Sequence, residues 1–74
     1  QFPWSRLSDY QVFAKVALSE SCSPGSRVSV RDVAELFREW YGFEPEAKYL
    51  ERALEKLAEE GYLVKDSEGV YRLR

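Results

Sequence analysis

Basic residues recur at four-residue intervals in the segment PEAKYLERALEKLAEEG, residues 45–61. Lys48, Arg52 and Lys56, here named the basic stripe, would share one face of a helix because residues four apart lie one above the other. Ammonium and guanidinium groups bind phosphate, so such a stripe could follow a nucleic-acid backbone. Tyr49, next to the first of them, could add an apolar or hydrogen-bonding contact to a base.

Glutamates in the same segment favour a second interpretation. Glu51, Glu55 and Glu59, here named the acidic stripe, would lie roughly 60–100° around the helix axis from the basic stripe. Each basic residue then has an acid three or four positions away, and such pairs stabilise a helix by only about 0.2–0.5 kcal/mol each. The segment therefore fits either a solvated helix face with weak ion pairs or a basic ridge presented to phosphates.

The residues that most often carry catalysis are scarce. The chain has no histidine, so no side chain exchanges protons near neutral pH at its unperturbed pKa. Cys22 is the sole cysteine, which excludes an internal disulfide, and without a neighbouring base it would be a poor nucleophile. No Cys/His cluster has metal-ligand spacing, and no glycine-rich loop could hold phosphate. We expect no catalytic residue, metal or cofactor in this chain.

Composition indicates one small globular domain, with 45% hydrophobic and 32% charged residues in a chain of 74. The net charge of −2 supplies no overall attraction to nucleic acid, but the charge is uneven. Residues 32–61 hold nine acidic and four basic residues, whereas basic residues are in excess toward both ends. A basic surface would therefore have to combine groups from the two ends.

The chain opens at Gln1 and contains no methionine, which favours a piece of a larger protein. The larger protein could be an enzyme, such as an ATPase or a helicase. No apolar run approaches the roughly 18–20 residues of a membrane span, and no signal-peptide pattern is present. A lone cysteine fits a reducing compartment. We expect no membrane partner and a cytoplasmic or nucleoid-associated location.

Helix caps predict the elements that position these residues. Ser8 and Gln11 have the spacing of a capping box, which predicts a first helix that ends near the loop SESCSPGSR. Ser29, with Asp32 three residues later, predicts the start of a second helix after a short strand at Val28. Apolar residues recur at three- and four-residue steps in both segments, as is typical of amphipathic helices.

A third helix is predicted over about residues 45–60, with Pro45 in its first turn and Gly61 at its end. The segments YLVK and VYRLR then predict two strands joined by the turn DSEG. The apolar faces of three helices must cover one another, and the hairpin closes the open side. The fold class is therefore α+β, mainly α, over residues 8–74, preceded by an aromatic arm at residues 1–7.

This element order resembles that of a winged-helix domain, a helix-turn-helix variant with a β-hairpin wing. The resemblance covers residues 7–74 and depends on the run LERALEKLAEEGYLV…GVYRLR, in which a leucine-patterned helix passes through Glu-Glu-Gly into an apolar strand. The layout is loosely similar to C-terminal winged helices of archaeal replication proteins, such as replicative helicases and origin-binding ATPases. The resemblance implies that the third helix enters the major groove of DNA and that the wing touches an adjacent groove or the backbone.

The resemblance also implies a set of contacts to duplex DNA, the expected partner. They are Lys48, Tyr49, Arg52 and Lys56 on the third helix, Ser29 and Arg31 at the start of the second, and Lys65, Arg72 and Arg74 in the wing. The acids of the DSEG turn depart from this pattern because the DNA backbone would repel them. With about three or four phosphates neutralised, the logarithm of affinity would fall with that of salt at a slope near −3.

A protein-interaction role is the alternative. Phe2, Trp4, Val12 and Val16 are apolar, yet a three-helix core does not require them. The aromatic arm could cover the outer edge of the first helix within one chain, or it could join a homodimer seam. The aromatic cluster within residues 40–43 is expected to pack in the core instead.

Overall fold

A computed structural model describes residues 7–74, and the side chains from residue 9 onward. The elements along the chain are α1 (Leu7–Ser21), β1 (Arg27–Ser29), α2 (Val30–Tyr41), α3 (Ala47–Glu59), β2 (Leu63–Ser67) and β3 (Val70–Leu73). The strands form one antiparallel sheet in the order β1-β3-β2. The predicted class, α+β and mainly α with a C-terminal hairpin, is confirmed. Of the predicted arm, residues 1–6 lie outside the described residues, and Leu7 already belongs to α1.

Both ends of α2 are fixed by local hydrogen bonds, as the sequence predicts. The Asp32 N–H donates to Ser29 Oγ over 3.1 Å, and the Ser29 N–H donates to Asp32 Oδ2 over 3.0 Å, which completes a capping box. Gly42 ends the helix with φ 72°, a left-handed conformation that glycine adopts without steric cost. Its N–H donates to the Arg38 carbonyl over 3.1 Å.

The start of α1 differs from its prediction. The helix begins at Leu7, so Ser8 lies within it and not at its cap. The Gln11 side chain reaches across to α3, where its Nε2 atom donates to Glu60 Oε2 over 3.4 Å. At the other end the helix continues to Ser21, further than its apolar spacing predicts.

The start of α3 also lies later than predicted. Pro45 precedes the helix, which begins at Ala47, because Glu46 keeps an extended conformation with φ −79° and ψ 127°. The Glu46 N–H donates to the Tyr10 hydroxyl over 2.9 Å, so a contact with α1 occupies this end of the helix. The predicted stop at Gly61 is confirmed, with φ 92° at that residue.

The hairpin is tighter than the predicted four-residue turn. Strand β2 continues through Asp66 and Ser67, which leaves Glu68 and Gly69 as the connection to β3. The pairing shifts register between Lys65 and Ser67, so the strand carries a bulge there. The extra strand length brings Asp66 into the sheet, where it meets the basic residues described below.

The core lies between the three helices and the inner face of the sheet. Tyr10 of α1 stacks on Phe37 of α2 with ring centroids 5.5 Å apart, and Tyr71 of β3 stands opposite Val28 of β1. The buried hydrophobic residues are Tyr10, Ala14, Ala17, Leu18, Val28, Val33, Phe37, Leu50, Ala53, Leu54, Leu57, Leu63 and Tyr71. Every helix and every strand contributes to this set, so the hairpin is part of the domain core.

The aromatic cluster at the end of α2 divides between core and surface. Tyr41 and Phe43 pack against the core as expected. The core expectation is wrong for Trp40, which is 44% exposed. Its indole N–H donates to Ser21 Oγ over 3.1 Å, so the side chain lies against the end of α1.

Candidate nucleic-acid interface

Helix α3 directs the basic stripe outward. Its inner face is filled by four buried residues: Leu50, Ala53, Leu54 and Leu57. A turn of about 100° per residue then places Lys48, Arg52 and Lys56 on the opposite side. All three are exposed, as the sequence predicts.

The basic stripe forms no close ion pair within its own helix, although Glu55 and Glu59 line a hollow together with Arg52 and Lys56. Within residues 7–74, no carboxylate lies within 4.0 Å of a cationic nitrogen of Lys48, Arg52 or Lys56. The Lys48 Nζ atom lies 5.4 Å from the centroid of the Tyr49 ring. Three cations are therefore available to an anionic partner.

Carboxylates border the basic stripe mainly on one flank. Glu55 Oε2 accepts a hydrogen bond from Lys65 Nζ over 2.9 Å, so the acidic stripe lies on the side of α3 that faces β2. The other flank carries Tyr49, whose ring centroid is 5.7 Å from that of Tyr10 on α1, with Glu60 at its C-terminal end. An approaching polyanion would therefore meet the basic stripe from the α1 side of the helix.

Two predicted contacts in the hairpin are held by carboxylates instead. Arg27 Nε lies 3.0 Å from Asp66 Oδ2 in an ion pair, and Arg72 Nε donates to Asp66 Oδ1 over 3.4 Å. Arg27 pairs with Arg72 across β1 and β3, so both guanidinium groups meet one carboxylate whose side chain is 20% exposed. Lys65 Nζ lies 2.9 Å from Glu55 Oε2 and 3.9 Å from Glu68 Oε1. The hydrogen bond to Glu55 raises the pKa of Lys65, which keeps it a cation.

The start of α2 has fewer groups free to bind an anion than the sequence predicts. The hydroxyl and N–H of Ser29 are both used in the capping box, and the Asp32 carboxylate already lies at this helix end. The Val30 N–H donates to the Gly69 carbonyl over 3.1 Å. Arg31 alone keeps the predicted role, since it is exposed and forms no ion pair with the residues that the structure describes.

Arg74 lies away from the basic stripe. It borders a hollow of about 280 Å³ between the end of α1 and the ends of β2 and β3. Lys15 and the partly exposed Cys22 line the same hollow, above a floor of leucines. Over the described part of the chain, no group of His, Cys, Asp or Glu residues could hold a metal ion.

The predicted interaction residues of α1 lie on its outer face. Val12 is 56% exposed and Val16 is 44% exposed, which confirms that both lie off the core. Phe2 and Trp4 lie outside the described residues. Sequence reasoning did not include Tyr62 among the interaction residues. Its half-exposed ring lies against α1, with Lys15 Nζ 3.9 Å from the ring centroid.

No protein-family model matches this chain, and comparisons with curated proteins and with solved structures gave no match either. Across residues 7–74, no helix combines the length and the apolar character needed to cross a bilayer. What the chain does must therefore be inferred from the charges and apolar groups that its surface presents.

Proposed function

We propose that this chain is a winged-helix module of a larger cytoplasmic or nucleoid-associated protein, and that it binds duplex DNA with modest, salt-sensitive affinity. The observation that carries the proposal is the exposed basic stripe of α3, which has no carboxylate partner among the described residues. The element order, with β3 between β1 and β2, supports the winged-helix assignment.

Binding would be mainly electrostatic. Lys48 and Lys56 are eight residues apart, so the basic stripe is about 12 Å long and can reach about three phosphates. Arg31 would assist from the start of α2, and Tyr49 would lie beside the contacted strand. The acidic stripe would face solvent, because carboxylates brought against the backbone would repel it.

The β-hairpin wing would contribute little to the affinity for DNA. Lys65 is shared between two glutamates, and Arg72 shares Asp66 with Arg27. If Lys65 or Arg72 bound a phosphate, it would have to leave its carboxylate partner. The free energy lost in breaking that ion pair would offset most of the free energy gained from the phosphate. Contact with DNA is therefore expected from α3, with affinity below that of a protein that neutralises six to ten phosphates.

A salt titration tests this proposal. Binding to a fluorescent duplex should weaken between 50 and 200 mM salt with a log–log slope near −3, about 0.9 for each of three phosphates. Arg52→Gln should bring the slope about one unit closer to zero and weaken binding to all sequences alike. Arg38→Gln is the matched control, because Arg38 already pairs with Glu44 over 2.8 Å; its slope should stay unchanged.

The alternative is a protein-interaction or self-association module, which the half-exposed valines of α1 favour. In that case no duplex would bind even at low salt, and sedimentation would show a concentration-dependent dimer. Equal effects of Arg52→Gln and Arg38→Gln would also contradict the DNA proposal, since binding would then follow net charge and not the basic stripe.

A further inference from the structure

The hollow that Arg74 borders has a floor of leucines and is here named the leucine hollow. Its volume is about 280 Å³. Each of α1, α3, β2 and β3 contributes one leucine to its lining: Leu18, Leu57, Leu63 and Leu73. Three of them are buried core residues and the fourth packs against the core, so the fold itself holds the floor in place. An apolar cavity of about 150 Å³ is enough to hold benzene, so the leucine hollow has room for a somewhat larger molecule.

Two cations stand at the rim of the leucine hollow. Lys15 and Arg74 both line it, and both side chains are exposed. Lys15 Nζ lies 3.9 Å from the centroid of the Tyr62 ring. Arg74 Nη1 lies 3.8 Å from the point that a Cβ atom on Gly61 would occupy. Because Gly61 and Tyr62 are neighbours in the chain, both charged groups border the same turn and can meet one anion there.

Carboxylates are absent from the lining of the leucine hollow over the described part of the chain. Among residues 7–74, none lies within 4.0 Å of a cationic nitrogen of Lys15 or Arg74. Glu60 shares a neighbouring hollow with Lys15, and Glu59 shares another with Arg74. These glutamates lower the positive potential at the rim but leave both cations without an ion-pair partner. The rim therefore favours an anion of low charge, and the floor favours an apolar group.

We propose that the leucine hollow binds a small apolar carboxylate, such as a medium-chain or aryl-substituted acid. Its tail would lie on the leucines, and its carboxylate would lie between Lys15 and Arg74. The guanidinium fork of arginine matches the two oxygens of a carboxylate, and burial of the tail removes apolar surface from water. A doubly charged phosphate is disfavoured, because Glu59 and Glu60 would repel it more strongly.

The size of the leucine hollow favours a small molecule over a peptide. Its volume of about 280 Å³ lies at the lower end of the range for small-molecule sites, roughly 300–1,000 Å³. The main chain of a peptide would extend beyond such a site. The inference is independent of DNA binding, since it uses none of the residues of the basic stripe.

A nuclear magnetic resonance titration of the 74-residue chain with octanoate tests the proposal. Amide shifts should cluster at the lining of the leucine hollow, including Cys22, Tyr62 and Leu73. A dissociation constant on the order of 1 mM is expected for so small a ligand. Octylamine, with the same tail and the opposite charge, should bind far more weakly. Acetate, with the same head group and no tail, should produce no comparable shifts.

Substitution of the cations tests how the carboxylate is held. Lys15→Gln and Arg74→Gln should each weaken octanoate binding by about two- to fivefold, as expected for the loss of one exposed ion pair. Arg38→Gln is the matched control. It removes the same charge at an exposed position that already pairs with Glu44, so the affinity for octanoate should not change.

Cys22 provides a second measurement, because it is the sole cysteine and lines the leucine hollow. Neutral iodoacetamide alkylates its thiol, and mass spectrometry follows the reaction. Saturating octanoate should slow alkylation several-fold in the folded chain and leave the rate in the urea-unfolded chain unchanged. Octylamine at the same concentration should have little effect on either rate.

Three results would overturn the inference. The first is the absence of clustered amide shifts at octanoate concentrations well above 1 mM. The second is equal binding of octylamine and octanoate, which would show that the leucine floor alone selects the ligand. The third is an unchanged octanoate affinity in both Lys15→Gln and Arg74→Gln. The amide spectrum of each variant verifies that the fold is retained.

Discussion

The side chain of Tyr10 joins α1 to the start of α3. It is 2% exposed, and its hydroxyl accepts the Glu46 N–H over 2.9 Å. Its ring packs on Phe37 and meets Phe43 edge-on, with centroid distances of 5.5 and 6.2 Å. Glu46 provides no side-chain cap to α3, so the Tyr10 hydroxyl fixes the position of this helix end and of the basic stripe beyond it.

Tyr10→Phe keeps the ring and removes only the hydroxyl. We expect it to lower the free energy of unfolding by about 1 kcal/mol, because a part-buried N–H loses its acceptor. Urea denaturation followed by circular dichroism measures the change. Tyr62→Phe is the control, since its side chain is exposed and its change should stay within about 0.5 kcal/mol. Equal stabilities of wild type and Tyr10→Phe would contradict this role.

At the scale of elements, α2 is held by its own ends. Ser29→Ala should lower the free energy of unfolding by about 1 kcal/mol, because Asp32 N–H loses its acceptor in the capping box. For a domain of this size that corresponds to a fall in Tm of about 4–8 °C. Thermal unfolding followed by circular dichroism measures it. Ser19→Ala, at an exposed position within α1, should cause no comparable fall.

Elements with local determinants could be predicted from the sequence. The ends of α2 follow from the residue types at Ser29 and Gly42, whose hydrogen bonds stay within a few residues. The start of α1 was not predicted correctly, because the capping-box spacing of Ser8 and Gln11 lies inside a helix that already includes Leu7. The length of β2 depends on a bulge that only pairing with β3 defines.

The sequence likewise predicts only those features of the candidate site that depend on local spacing. Helical spacing alone predicts that Lys48, Arg52 and Lys56 share an outward face, and their exposure confirms it. The pairing of Arg27 and Arg72 with Asp66 depends on the β1–β3 register and the bulge in β2. No local pattern contains that information, so the neutral character of the hairpin could not be predicted.

The whole molecule distributes its cations unequally. Those of the sheet are paired with carboxylates, whereas the described residues provide none within 4.0 Å for the basic stripe. Arg27 and Arg72, from the two ends of the chain, do come together, but they meet around Asp66 and not beside α3, so they form no basic surface with the basic stripe. A polyanion would encounter the basic stripe and separate cations such as Arg31, and not one broad basic surface.

The fold as a whole also binds protons more tightly at alkaline pH than the unfolded chain does. Burial raises the pKa of Tyr41 and of Tyr71. The hydrogen bond to Glu55 raises the pKa of Lys65. In the unfolded chain these groups return to their ordinary values, about 10 for tyrosine and about 10.4 for lysine. The three shifts have the same sign, so their effects on stability add.

Stability should therefore fall above about pH 10. Between the unfolded and folded pKa values the native state holds more protons, and the free energy of unfolding decreases as pH rises. The stabilisation is fully present below about pH 10 and is lost as pH passes the folded-state values. Urea denaturation at steps from pH 8 to 11.5 measures the loss, and Tyr71→Phe should make it shallower because one shifted phenol is removed. A free energy of unfolding that stays constant across this range would contradict the prediction.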